Sequence, residues 1–264
     1  MLSILISLAF AAPDSSSIKT TIDTFNKFSQ VQIPQLSSAQ RQKLLNGEVV
    51  KTIDKGKDAD GNIKAGKAIA YYISTLPKAQ LWLSFQDNHF QVQENTIEYR
   101  FKSDGIDKMS WYGFMDLPWP MSDRHWVVDV WNNHSLAEKT NNAMWEHPWK
   151  LQQDGVREFQ PFIDAGKVKK VSQKMYREAV YLPACDGLWA MMDLEGSTLM
   201  VYSATATVGG SIPEGLMMKL LMSNLNSFIK DGEKRAKTQV PKHYRQGGSH
   251  ETMYGGDGKP ITKF

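Results

Sequence analysis

The feature that most constrains this chain lies near its end. An alternating apolar segment, Ser197 to Thr207, passes through Val208 into Gly209-Gly210 and then into one long amphipathic stretch ending at Lys237. Ser211-Ile212-Pro213-Glu214 has the form of a capping box, in which the serine hydroxyl accepts from an orphan amide while the glutamate reaches back and complements the positive helix end. Beyond it Leu216, Met217, Leu220, Leu221, Leu225, Phe228 and Ile229 recur at three- and four-residue steps, opposite Lys219, Ser223, Lys230, Asp231 and Glu233. Met218 and Met222 widen that stripe with side chains that suit a partner of irregular shape. Such a helix needs a broad apolar surface to lie on.

The preceding residues read as that surface. Glu48 to Asp54 and Lys64 to Ser74 are β-rich runs flanking a turn-forming segment, Lys55 to Asn62, and together predict a hairpin. Further strands are expected at Thr96 to Lys102, Met109 to Asp116, Arg124 to Asn132, Asn142 to Trp149, Gln173 to Tyr181, Leu188 to Leu194 and Ser197 to Thr207. Two short helices interrupt them: one opened by Ser37 and stopped at Gly47, the other begun by Pro77 and closed at Asp87-Asn88-His89. Many consecutive strands followed by one terminal helix predict an α+β fold with an antiparallel sheet.

Both ends read differently from this middle. Residues 1–12 form an apolar run ending in small residues, similar to the end of a secretory signal peptide, so the expectation is an exported protein, periplasmic or secreted, and a cytoplasmic one if that segment has another purpose. Residues 13–34 read as a polar arm, 35–238 as the folded domain, and 239–264, where the apolar signal fades among paired glycines, as a flexible polar tail.

Composition limits the chemistry. The net charge of +3 is small and no basic stripe stands out, so nucleic acid is not an expected partner. A single cysteine, Cys185, excludes an internal disulfide and any multi-cysteine zinc site. The histidines, at 89, 125, 134, 147, 243 and 250, show no metal-binding spacing, and no cofactor is expected. Asp58-Ala59-Asp60-Gly61 echoes a calcium loop, but the flanking template positions fall on Gly56 and Lys67, where acids are required. Gly209-Gly210-Ser211-Ile212-Pro213 fails as a nucleophile elbow at its last position, so Ser211 is read as a cap. Asp123-Arg124 reads as a turn pair or as charge held near a cavity mouth. If Glu178 shares an inward strand face with Tyr176 and Val180, it is the candidate acid–base group.

From about Asn46 to Lys237 the chain resembles START domains of the Bet v 1-like (SRPBCC, helix-grip) superfamily. The pieces are Gly47-Glu48-Val49-Val50, Pro77 with Leu81-Trp82 and Asp87, Leu117-Pro118-Trp119-Pro120-Met121-Ser122-Asp123-Arg124, Gly187-Leu188-Trp189, and Thr207-Val208-Gly209-Gly210-Ser211-Ile212-Pro213. Many members carry Asp-Pro before the double glycine, where Thr207-Val208 stands here. The resemblance implies a curved antiparallel sheet gripping the C-terminal helix around a hydrophobic cavity for one lipid or sterol-like molecule, with transient membrane contact during transfer. No shared catalytic residue is implied, so the expectation is a non-enzymatic binder; the alternative is a cyclase- or aromatase-like enzyme using the same cavity. The expected lining is Trp111, Phe114, Trp126, Tyr176, Glu178, Trp189 and Tyr202 from the strands, and Leu216, Met217, Leu220, Leu221 and Asn224 from the helix.

Overall fold

Alternation along the strands places apolar side chains on both faces of one large sheet, and each face is covered by helices. The computed structural model describes residues 12–57, 63–90, 96–105, 107–207, 209, 214–245 and 252–261. Its strands are β1 (Val50–Lys57), β2 (Ile63–Ser74), β3 (Thr96–Ser103), β4 (Lys108–Met115), β5 (Arg124–Trp131), β6 (Met144–Leu151), β7 (Val180–Tyr181), β8 (Ala184–Leu194) and β9 (Ser197–Thr207). They lie in the order β1-β2-β9-β8-β6-β5-β4-β3 with antiparallel neighbours, and the short β7 pairs in parallel with β5. The helices are α1 (Ser15–Phe28), α2 (Ser38–Leu45), α3 (Lys78–Gln86), α4 (His134–Lys139), α5 (Gly155–Asp164), α6 (Gln173–Glu178), α7 (Glu214–Thr238) and α8 (Val240–His243). This is the expected α+β architecture, a curved antiparallel sheet with a long C-terminal helix on its inner face.

The outer face is closed by four helices. Ile18, Ile22 and Phe25 recur along one side of α1 and pack with Leu44 of α2 on Ile69, Tyr71, Leu188, Ala190, Leu199 and Val201. A fully buried side chain of this kind contributes about 1.5–3 kcal/mol, so this layer is a main source of stability. At the other end of the same face Phe159 of α5 stacks on Tyr112 with ring centroids 4.0 Å apart, and Tyr176 of α6 donates its hydroxyl to the Val156 carbonyl at 2.5 Å.

Three expectations are corrected here. Residues 13–34 are no arm: Asp14 accepts from the amides of Ser16 and Ser17 at 2.7 Å while Ser17 accepts from the Asp14 amide at 2.9 Å, and the helix so capped buries its apolar side. Gln173 to Tyr181 is helix α6 followed by β7, because Ser172 caps a helical turn by accepting from the Met175 amide at 3.1 Å. Within 239–264, α8 and residues 252–261 pack on the domain: Val240, Tyr244, Met253 and Ile261 are buried, and Trp82 donates to the Tyr254 carbonyl at 3.0 Å.

On the inner face, α7 and α3 seal one end of the sheet. Leu225, Ile229 and Ala236 pack with Tyr72, Leu81, Met191 and Met200. Tyr72 and Ser74 both donate to the Glu233 carboxylate, at 2.7 and 2.6 Å, and Ser84 and Gln80 donate to the Gly232 and Ala236 carbonyls at 2.8 and 2.7 Å. The C-terminal half of α7 is thereby fixed to β2 and α3. The cap predicted at Ser211, the Gly210 turn, residues 1–11 of the apolar leader and Asp58 to Asn62 of the hairpin turn lie outside the described residues. Among the described residues no helix is long and apolar enough to cross a membrane.

Candidate functional site

Away from that sealed end, the inner face is made with unusually little height. Gly113 on β4 and Gly187 on β8 carry no side chain where one would collide with an indole: a Cβ would lie 2.1 Å from the ring of Trp126 and 2.2 Å from that of Trp149. The two rings therefore lie down against the backbone instead of standing away from it. An aromatic group of Trp189, Tyr202, Phe85 and Phe228, with ring centroids 4.4–5.8 Å apart, forms the boundary with the sealed end.

Accessibility then alternates along the strands. Trp111 keeps 8% of its surface and Trp189 keeps 7%, while their outer-face neighbours Tyr112 and Leu188 keep 0%. Three inner-face residues go further. Glu98 on β3 is open over much of its surface, and Cys185 and Tyr202 are half-open, yet all three are deeply enclosed by the chain. A side chain that is both accessible and enclosed lines an interior space. The register agrees, since Cys185, Gly187 and Trp189 share one face of β8 with Tyr202, Ala204 and Ala206 of β9 opposite.

The electrostatics of this space are those of a poorly solvated chamber. Burial, opposed by the Arg235 charge, pushes the Glu98 carboxyl up to about 7. Burial raises the Tyr202 phenol and pushes the Cys185 thiol up to about 12, and Glu98 adds to both shifts. At that value the thiolate needed for nucleophilic attack is scarce at neutral pH. Arg235 on α7 is nine-tenths buried, and among the described residues its Nε has no hydrogen-bond partner. His147, on the inner face of β6, sits with Nδ1 2.8 Å from Asn132 Oδ1, and burial pushes it down to about 3, so it is a neutral ring.

The loop entering β5 ties down the start of α7. The Arg124 guanidinium donates to the carbonyls of Ser122, Asp123 and Gly209 at 2.6, 3.2 and 2.9 Å, and Asp123 accepts from the Leu117 amide at 3.0 Å. Asp123-Arg124 is thus a turn pair that also holds the β9–α7 corner. Trp119, on the same loop, is 93% exposed.

Of the residues expected to line a cavity, Trp111, Trp126, Trp189 and Tyr202 are brought together on the inner face. Phe114 and Tyr176 are not: both belong to the outer cluster under α5 and α6. Glu178 is also misplaced, on the solvent side of α6, 4.0 Å from Lys174, and its acid–base candidacy ends there. Asn224 is exposed on α7, and the side chains of Leu216, Met217, Leu220 and Leu221 lie outside the described residues. Glu98 and Arg235 were not anticipated. Their one sequence signal is that Ile97, Tyr99 and Phe101 pack outward, which turns Glu98 and Arg100 to the inner face.

Human STARD10 superposes on this chain with a TM-score of 0.52 over 82% of this chain and 85% of its own, at 11% identity. The fold is the START-type helix grip. Weaker likenesses to other structures are the lipid transfer and protein localization domain of human StarD13 (TM-score 0.48, 12% identity, 75% and 98% covered) and a Streptomyces aromatase/cyclase (0.41, 11%, 70% and 99%). No family model matches the sequence, and no curated protein does.

Proposed function

We propose that this chain binds one apolar small molecule, a lipid or sterol-like compound, in the space beneath α7, and carries it without transforming it. The observation that supports this reading is the set of accessible yet enclosed side chains, Glu98, Cys185 and Tyr202, among indoles laid flat over glycine. Each methylene moved from water into such a space is worth about 0.8 kcal/mol, so affinity needs few directed contacts. Exchange needs an opening. The C-terminal half of α7 is held by Glu233, Gly232 and Ala236, whereas at its entry corner Arg124 donates to the Gly209 carbonyl at 2.9 Å. We place the opening at that corner, with the exposed Trp119 meeting a membrane surface during transfer. Export through the apolar leader belongs to the same proposal, and N-terminal sequencing of the native protein tests it.

The carrier reading is tested by organic extraction of purified full-length protein followed by mass spectrometry. One apolar compound per chain is expected; an empty protein that also takes up no added lipid contradicts it. Glu98 favours a second reading, because a carboxyl near 7 can both give and take a proton at neutral pH. If the protein is a cyclase- or aromatase-like enzyme, the recovered ligand differs from the one supplied; the carrier returns it unchanged.

A further inference from the structure

Glu98 on β3 and Arg235 on α7 act on each other electrostatically, yet among the described residues no ion pair or hydrogen bond joins them. Arg235 is nine-tenths buried with a bare Nε, and the accessible Glu98 carboxyl also lacks a hydrogen-bond partner among the described residues. We infer that this pair holds the head of an acid: an amphiphile whose apolar body fills the space beneath α7 and whose oxyanion bridges the Arg235 guanidinium and the Glu98 carboxyl. The inference rests on the carrier reading and names its ligand class.

Charge balance decides the sign of the head. A guanidinium does not shed its proton, so Arg235 stays cationic when desolvated. Glu98 carries its proton for much of the time at neutral pH, because burial disfavours the anion. Of its other neighbours, Tyr202 on β9 and Cys185 on β8 are neutral, and Arg100 on its own strand is a second cation, 3.7 Å from Met253 Sδ. Asp231, one turn before Arg235, acts on it more strongly than Glu98 does, but from an exposed position, and among the described residues it forms no ion pair with the guanidinium. The buried Arg235 guanidinium is left without an acceptor at Nε among the described residues. An alcohol head can bond both groups through its one oxygen but brings no charge to the guanidinium, and a cationic head would be repelled. A carboxylate or a phosphate monoester accepts from the guanidinium and from the Glu98 hydroxyl together.

The test uses delipidated full-length protein loaded with the uncharged probe diphenylhexatriene, displaced by palmitate, hexadecanol or hexadecyl phosphate, which share one chain length. At pH 7 palmitate or hexadecyl phosphate is expected to bind at least about tenfold tighter than hexadecanol, the size of one charge-assisted hydrogen bond. Whichever acid binds tighter identifies the natural head. Arg235→Gln should erase the preference and keep hexadecanol binding. Glu98→Gln, still a donor, should keep the preference and flatten its decline above pH 7. If Arg235→Gln does not fold, the acid-to-alcohol ratio of the native protein and of Arg235→Lys, which keeps the charge, decides. Equal affinities for acid and alcohol overturn the acid head and leave the carrier standing; no displacement by any of the three removes both.

Discussion

On the outer side of β8, Leu188, Ala190 and Met192 are completely covered by α1 and α2, whereas on the inner side Cys185 and Tyr202 opposite it keep access to an enclosed space. The strands are the same and the coverings differ. Two helix pairs, α1 with α2 and α5 with α6, fill the outer face with rings and branched chains, while the inner face is roofed by α7 and lined by indoles lying over glycine. The comparison teaches that one well-packed face can hold the sheet together, leaving the other free to keep room for a ligand.

Mutations can break this comparison. Phe159→Ala, on the outer face, should cost about 3–5 kcal/mol in denaturant unfolding. Tyr202→Leu, on the inner face, should cost only about 1–2 kcal/mol while weakening ligand capture. Equal costs would mean that the faces are equally packed. A ligand at a hundred times its dissociation constant should add about 2.7 kcal/mol, read as a rise in melting temperature. Acid and base then separate two enclosed groups. Glu98 is raised from 4.5 to about 7, so its contribution is full below pH 4.5 and is lost as pH rises through about 7. His147 is depressed from 6.5 to about 3, so its contribution is full above pH 6.5 and is lost as pH falls through about 3. Between pH 4 and 8 the two act in opposite directions, so the Glu98 part is read as a difference: native protein should lose on the order of 1 kcal/mol more than Glu98→Gln as pH rises through 7, the size reduced because the Glu98 surface is partly open. The smallest effect is local: Ser37, which accepts from the Gln40 amide at 3.3 Å at the start of α2, should cost about 0.5–1 kcal/mol when replaced by Ala.

Much of the fold was legible because its signals are local. The three- and four-residue spacing gave α7, alternation gave the paired long strands, and Ser37 with Gln40 gave α2. The outer helices were less so. Ile18, Ile22 and Phe25 are sparse among serines, threonines and lysines, and α5 carries Pro161, which reads as a helix stop. From α6 into β7, Tyr176, Glu178 and Val180 mimic strand alternation, and the six residues of α6 are too few to display a helical period. The site was legible as a set of aromatics but not as a face. Trp111 and Phe114 are separated by parity alone, which the register with β5 fixes and no single strand reveals. Arg235 drew no reading from the sequence because the group it acts on, Glu98, comes from β3, far away in sequence.

The decisive measurement is to fill the space. Cys185→Phe places a ring in the proposed ligand space, so the variant should unfold within about 1 kcal/mol of the native protein and lose the bound apolar compound. A loss of about 1–3 kcal/mol, as overpacking brings to a filled core, with ligand capture intact, would show that no such space exists.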